Sequence, residues 1–161
     1  MAVLGIGVDI VEIERMGRVL ARTPRFAERV FTQEERDYCA RRANPDAAFA
    51  GCFAAREAVL KALGVGFGAG VGFRDVAAGH DSKGKPLAIL SGGARKAAEG
   101  QGVTEVHISV THTRGVAVAN ALAVTREAVP ARTEKVDESA MLAARFKEAK
   151  SLLDELDRKG E

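Results

Sequence analysis

Two carboxylates stand in apolar surroundings. Asp9 closes the run AVLGIGV, and Glu57 interrupts FAAREAVLK. A buried strand delivers polar groups to a cleft at its end, so Asp9 is expected at a strand terminus. The plainer alternative is that it caps the following helix. If the second run is helical, Phe53, Glu57 and Lys61 fall at i, i+4 and i+8 and share one face. A Glu–Lys pair at that spacing is also an ordinary solvated helix pair. One carboxylate from a strand and one from a helix make a sparse set of hard oxygen donors. Mg²⁺ suits such a set, with phosphate oxygens and water completing its shell, and Lys61 alongside suits a phosphate-bearing substrate. His112 lies between two threonines, Thr111 and Thr113. It is either a structural histidine or a donor to phosphate or carrier of a proton.

These groups need elements to hold them. The opening run reads as a strand ending at Asp9, and residues 12–21 read as a helix broken by Thr23-Pro24. Pro24 opens a short helix through Val30. Thr32-Gln-Glu-Glu35 fits a capping box that starts a third helix, the role expected of Glu35. Asn44-Pro45-Asp46 is a turn with Asp46 as N-cap, and the longest helix runs from there to a stop at Gly64. The loop GVGFGAGVG that follows is not a phosphate loop. It comes after a helix, where the dipole is negative, and lacks G-x-x-x-x-G-K-[ST]. Residues 73–79 and 86–90 pair around Asp81-Ser-Lys-Gly84, Ser91 caps a short helix to Glu99, and EVHISVT and GVAVANALAV form a hairpin at His112-Thr-Arg-Gly115. One strand, several helices and then mostly strands is an α+β pattern, with a largely antiparallel sheet and a long helix packed on it.

The chain divides at about residue 126. Residues 1–126 hold 17 Lys and Arg against 13 Asp and Glu, and residues 127–161 hold 7 against 9. Residues 127–136 read as a polar linker around Pro130. Residues 137–158 read as a helix whose apolar positions Leu142, Phe146, Ala149, Leu153 and Leu156 step by four and three. In the first part, Arg15, Arg18, Arg22, Arg25 and Arg29 face a single acid, Glu28, between positions 15 and 29. This is a local basic face rather than a nucleic-acid footprint: interleaved aromatics and a recognition motif are missing. No apolar run approaches a membrane span, the N-terminus does not read as a signal peptide, and Cys39 and Cys52 fit no metal motif. Two reduced thiols in a cytoplasmic protein is the expectation.

Four blocks together carry a resemblance. GIGVDIVEIERM, RFAERVFTQEE, FAAREAVLKALG and HISVTHTRGVAVA stand in this order between residues 4 and 124. They resemble the motifs of the holo-acyl-carrier-protein synthases, the small homotrimeric 4′-phosphopantetheinyl transferases. The resemblance implies that fold and transfer of phosphopantetheine from coenzyme A to a serine of an apo acyl carrier protein, with adenosine 3′,5′-bisphosphate released. It implies that Asp9 and Glu57 hold Mg²⁺ (or Mn²⁺) and that Lys61 steadies the diphosphate. Arg56, His112 and Thr113 join Lys61 in holding coenzyme A. Arg15, Arg22, Arg25 and Phe26 meet the acidic carrier, and sites lie at subunit interfaces. Two positions depart from the pattern: Arg56 stands where the family has Lys, and Cys52 where many members have Arg. The alternative they raise is a catalytically weak member that binds the carrier or coenzyme A.

Overall fold

The computed structural model describes residues 4–68, 70–126, 146, 147 and 150. By its internal contacts the chain divides between Val129 and Pro130. The linker at 127–136 and most of the helix expected over 137–158 lie outside the described residues. Of that stretch Phe146, Lys147 and Lys150 are described, and they are helical and exposed.

In the first unit the elements run β1 (Leu4–Glu12), α1 (Ile13–Arg22), α2 (Phe26–Val30), α3 (Gln33–Ala40), α4 (Pro45–Ala62), β2 (Val76–His80), β3 (Pro86–Leu90), α5 (Gly92–Gly100), β4 (Val103–His112) and β5 (Val116–Thr125). This is the α+β order expected. β5 is central in an antiparallel sheet ordered β1-β5-β4, and β2 and β3 form a separate antiparallel pair.

The sheet's inner face is built from the smallest side chains. On β5 the inward residues Ala117, Ala119, Ala121 and Ala123 are all buried. On β1, Gly5 and Gly7 face α4. A Cβ on Gly7 would lie 1.9 Å from the Ala58 carbonyl oxygen, and one on Gly5 would lie 2.0 Å from that of Ala62. α4 answers with Ala54, Ala55, Ala58 and Ala62, likewise buried. Helix and sheet therefore touch nearly backbone to backbone. Close packing without cavities offsets the small area each alanine buries.

Local signals account for the helix ends, with corrections. The capping box at the start of α3 is complete: Thr32 Oγ1 accepts from Glu35 N–H at 3.2 Å, and Glu35 Oε2 accepts from Thr32 N–H at 2.9 Å. α4 is capped by Asn44, whose Oδ1 accepts from Ala47 N–H at 3.1 Å, and not by Asp46. Pro45 occupies the first turn, where its missing N–H costs nothing, and Asp46 follows inside the helix. Ser91 stands at the N-cap of α5 without a capping hydrogen bond. Asp75 supplies it from a distance, accepting from Gly93 N–H at 2.7 Å.

Candidate active site

α4 is enclosed on nearly every side. From Phe49 to its end, every residue is buried except Phe53, Glu57 and Lys61. The i, i+4, i+8 face is thus the helix's open stripe, and it runs along β1. Asp9 meets it from the middle of β1, not from a strand end. The strand continues through Glu12 because β5 keeps pairing with it as far as Val116. Asp9 points to the same side as Gly5 and Gly7, and the close approach those glycines allow brings the three groups together. Lys61 Nζ donates to Asp9 Oδ1 at 2.7 Å and to the Val8 carbonyl at 3.0 Å. The lysine thus reaches across to the strand, which the reading of a simple Glu57–Lys61 helix pair did not anticipate.

Charge in this group is unbalanced. Burial, and then the neighbouring Asp9 carboxylate, push the Glu57 carboxyl above its ordinary value, against the opposing pull of Lys61 and Arg56. Lys61 is held above its ordinary value, first by its hydrogen bond to Asp9. A hollow of about 380 Å³ opens over Asp9 and Glu57, walled by Arg15, Phe26 and Phe53 among others. Phe26 is half-buried against Phe31 and Phe53, with ring centres 6.1 and 6.3 Å away. Arg22 and Arg25 are exposed and stand outside the hollow's wall.

His112 lies elsewhere. It ends β4 and lines a second hollow of about 640 Å³ with Tyr38, Arg41, Arg42, Cys52 and His80. The two hollows share no lining residue. Thr113 Oγ1 is engaged in the β4–β5 turn, accepting from the N–H groups of Gly115 and Val116, each at 3.3 Å. Sequence reasoning missed Tyr38, Arg41, Arg42 and His80. The Tyr38 and His80 rings stack with centres 4.0 Å apart, and the Arg42 guanidinium lies 5.2 Å from the Tyr38 ring centre. The doublet Arg41-Arg42 just before the Asn44-Pro45 turn was the available signal.

Arg56 is a correction. Expected to hold coenzyme A, it is 1% exposed and turned inward. Its Nη2 donates to Glu35 Oε2 at 2.8 Å, its Nε donates to the Val76 carbonyl at 2.8 Å, and its guanidinium covers the Phe31 ring. Glu35 also accepts from Ala78 N–H at 2.9 Å. Beyond capping α3, it ties that helix to α4 and to β2.

Residues 5–119 match the sequence model of the 4'-phosphopantetheinyl transferase superfamily. A holo-[acyl-carrier-protein] synthase from Clostridium novyi (strain NT) is 45% identical over 120 residues, which is 74% of this chain and 86% of the relative. The chain belongs to this synthase family. Solved synthases share its fold. The enzyme from Neisseria meningitidis superposes with a TM-score of 0.67 at 36% identity, over 74% of this chain and 96% of that one. The Helicobacter pylori synthase, solved in complex with coenzyme A, does so with a TM-score of 0.65 at 31% identity, over 73% and 98%.

Proposed function

We propose that this chain transfers the 4′-phosphopantetheine group of coenzyme A to a serine of an apo acyl carrier protein. The observation that carries the reading is the open stripe of α4. In a chain of this family, its only uncovered side chains after Ala48 are an aromatic, a carboxylate and a lysine, set against a second carboxylate on β1. The serine oxygen forms a bond to the β-phosphorus, the bond from that phosphorus to the bridging oxygen breaks, and adenosine 3′,5′-bisphosphate leaves.

The chain's own groups supply position and charge. Lys61 is half exposed on a flexible stem, so its ammonium can swing from Asp9 to a diphosphate oxygen. Phe53 and Phe26 give the hollow an apolar wall beside the charged groups. Asp9 and Glu57 fit a divalent cation by their chemistry. Both are hard oxygen donors, and the Asp9 carboxylate disfavours the charge of Glu57 even with Lys61 present. No group of three or more His, Cys, Asp or Glu gathers at metal-binding spacing among the described residues. Two carboxylates leave the other positions to phosphate and water, as Mg²⁺ (or Mn²⁺) prefers. When bound, such an ion supplies charge neutralisation at the diphosphate.

Partners and assembly follow the same reading. Arg15, at the edge of the hollow, and Arg22 and Arg25, exposed beyond it, form a basic approach for an acidic carrier, with Phe26 as apolar anchor. The outer face of β1 exposes Ile6, Val8 and Ile10 at 67%, 46% and 62%. That row favours burial against other copies in a homotrimer. In such an assembly the His112 hollow of one subunit completes the Asp9–Glu57 site of the next, with Thr113 at its rim. Residues 1–126 carry the transfer in this reading, the rest being an appendage, and the setting is the cytoplasm.

The test is direct. Incubated with coenzyme A, Mg²⁺ and an apo carrier protein, the chain should add the phosphopantetheine mass to the carrier. Excess EDTA, Asp9→Asn or Glu57→Gln should abolish the gain. A wild-type chain that binds both substrates and adds no mass would overturn the reading.

A further inference from the structure

Neither Cys39 nor Cys52 has a role in the transfer proposed above, although Cys52 lines the His112 hollow. Cys39, on α3, is wholly buried, and Cys52, on α4, is 5% exposed. Both are free thiols, yet their sulfurs lie 3.6 Å apart, in contact across the packing of α3 on α4. A disulfide requires about 2.05 Å between sulfurs, so closure asks for a combined movement of only roughly 1.5 Å.

Buried thiols in apolar surroundings are usually inert. Two features set this pair apart. Cys52 forms part of the wall of the 640 Å³ hollow, so a small polar molecule entering there comes against this residue. A cation is also built in behind the pair. Arg56 Nη1 is buried and has no hydrogen-bond partner among the described residues, although Nε and Nη2 are both engaged. The charge of Arg56 favours the ionised form of Cys39, but the Glu35 carboxylate it pairs with opposes this more strongly. The proton stays on Cys39, whose thiol is pushed far up, first by its hydrogen bond with Cys52. Of the two residues only Cys52 lines the hollow, with Cys39 wholly buried behind it, so Cys52 is the one an incoming oxidant reaches first.

We propose that Cys39 and Cys52 form a reversible dithiol–disulfide site that reacts with hydroperoxides entering through the hollow. The Cys52 thiolate attacks the terminal peroxide oxygen, the O–O bond breaks, and the departing hydroxide or alkoxide takes up a proton. Cys52 becomes a sulfenic acid. The Cys39 sulfur then attacks the Cys52 sulfur, the S–O bond breaks, and water leaves with the Cys39 proton. Two electrons pass from the thiols to the peroxide, and an intrachain disulfide pins α3 to α4. An external dithiol reverses it by exchange.

The experiment uses the full chain and hydrogen peroxide. After brief exposure, remaining thiols are blocked and the protein is mapped by mass spectrometry. The expected product has lost two hydrogen atoms, joins the Cys39 peptide to the Cys52 peptide within one chain, and reverts with dithiothreitol. In Cys39→Ser, oxidation should stop at a Cys52 sulfenic acid that dimedone traps. In Cys52→Ser, Cys39 should remain unreacted. Circular dichroism checks that both variants fold, and the wild-type map decides the matter if either does not. Quantitative blocking of both thiols after peroxide, or irreversible sulfinic acid on Cys52 in the wild type, would overturn the proposal.

Discussion

Arg56 spends its charge inside the protein, and helix periodicity was the signal for it. Cys52, Ala55, Arg56, Val59 and Leu60 follow the i, i+3, i+4, i+7, i+8 rhythm of a buried stripe, and all are buried. The chain still chose a cation there because Glu35, already fixed by its cap, offers it a carboxylate. Breaking such a buried pair from one side costs about 3–5 kcal/mol. The contact of Lys61 was hidden for the opposite reason. Spacing pairs it with Glu57, and only the nearness of β1 turns it to Asp9. At this scale pH acts through His80. Burial, then the charge of Arg42, lower its pKa from 6.5, with Asp81 opposing. The folded chain therefore binds the His80 proton less readily than the unfolded one. The stability tied to His80 is complete above 6.5 and is lost as pH falls below it. Replacing His80 by Phe, which keeps a ring against Tyr38, should flatten the fall in melting temperature between neutral and mildly acidic pH. A series of thermal melts shows it, and an unchanged slope would remove His80 as the source.

Elements were more legible than contacts. The capping box, the stop at Gly64 and the final hairpin each rest on neighbours in sequence and stand where the sequence places them. The end of β1 does not, since a strand's length is set by its partner: Asp9 ends an apolar run, but β5 carries pairing three residues further. Gly5 and Gly7 carry the most consequence here. Gly7→Ala puts a Cβ 1.9 Å from the Ala58 carbonyl oxygen and 2.6 Å from the Ala62 nitrogen, both backbone atoms that cannot rotate away. β1 and α4 must separate. The expected loss is about 1–3 kcal/mol of unfolding free energy, typical of overpacking. It should come with a fall in kcat among the molecules that remain folded, because Lys61 loses its hold on Asp9 and Val8. Gly115→Ala meets open space and serves as the control. Urea unfolding and carrier labelling measure the two effects, and full activity in folded Gly7→Ala would show that the close approach is not what assembles the site.

For the whole molecule, one face of the sheet is packed on α4 and the other is partly bare. Ile6 on that outer face is 67% exposed and lies outside both hollows. If the proposed trimer buries this face, Ile6→Lys should leave each chain folded, shift sedimentation from trimer to monomer and remove most transfer. Wild-type protein that sediments as an active monomer would sink the assembly. In sequence this run reads as a buried strand, and a strand's own sequence cannot say which of its faces meets its own helix. α4 also joins two properties that proteins often keep apart. Working residues commonly sit on loops that open before the rest of the fold does. Here Phe53, Glu57 and Lys61 sit on a helix that is otherwise interior from Phe49 onward, so no small local opening can release them. The amides of α4 should be among the slowest in the chain to exchange with deuterium, and heat should extinguish catalysis at the temperature where the fold itself melts, with no inactive native form in between.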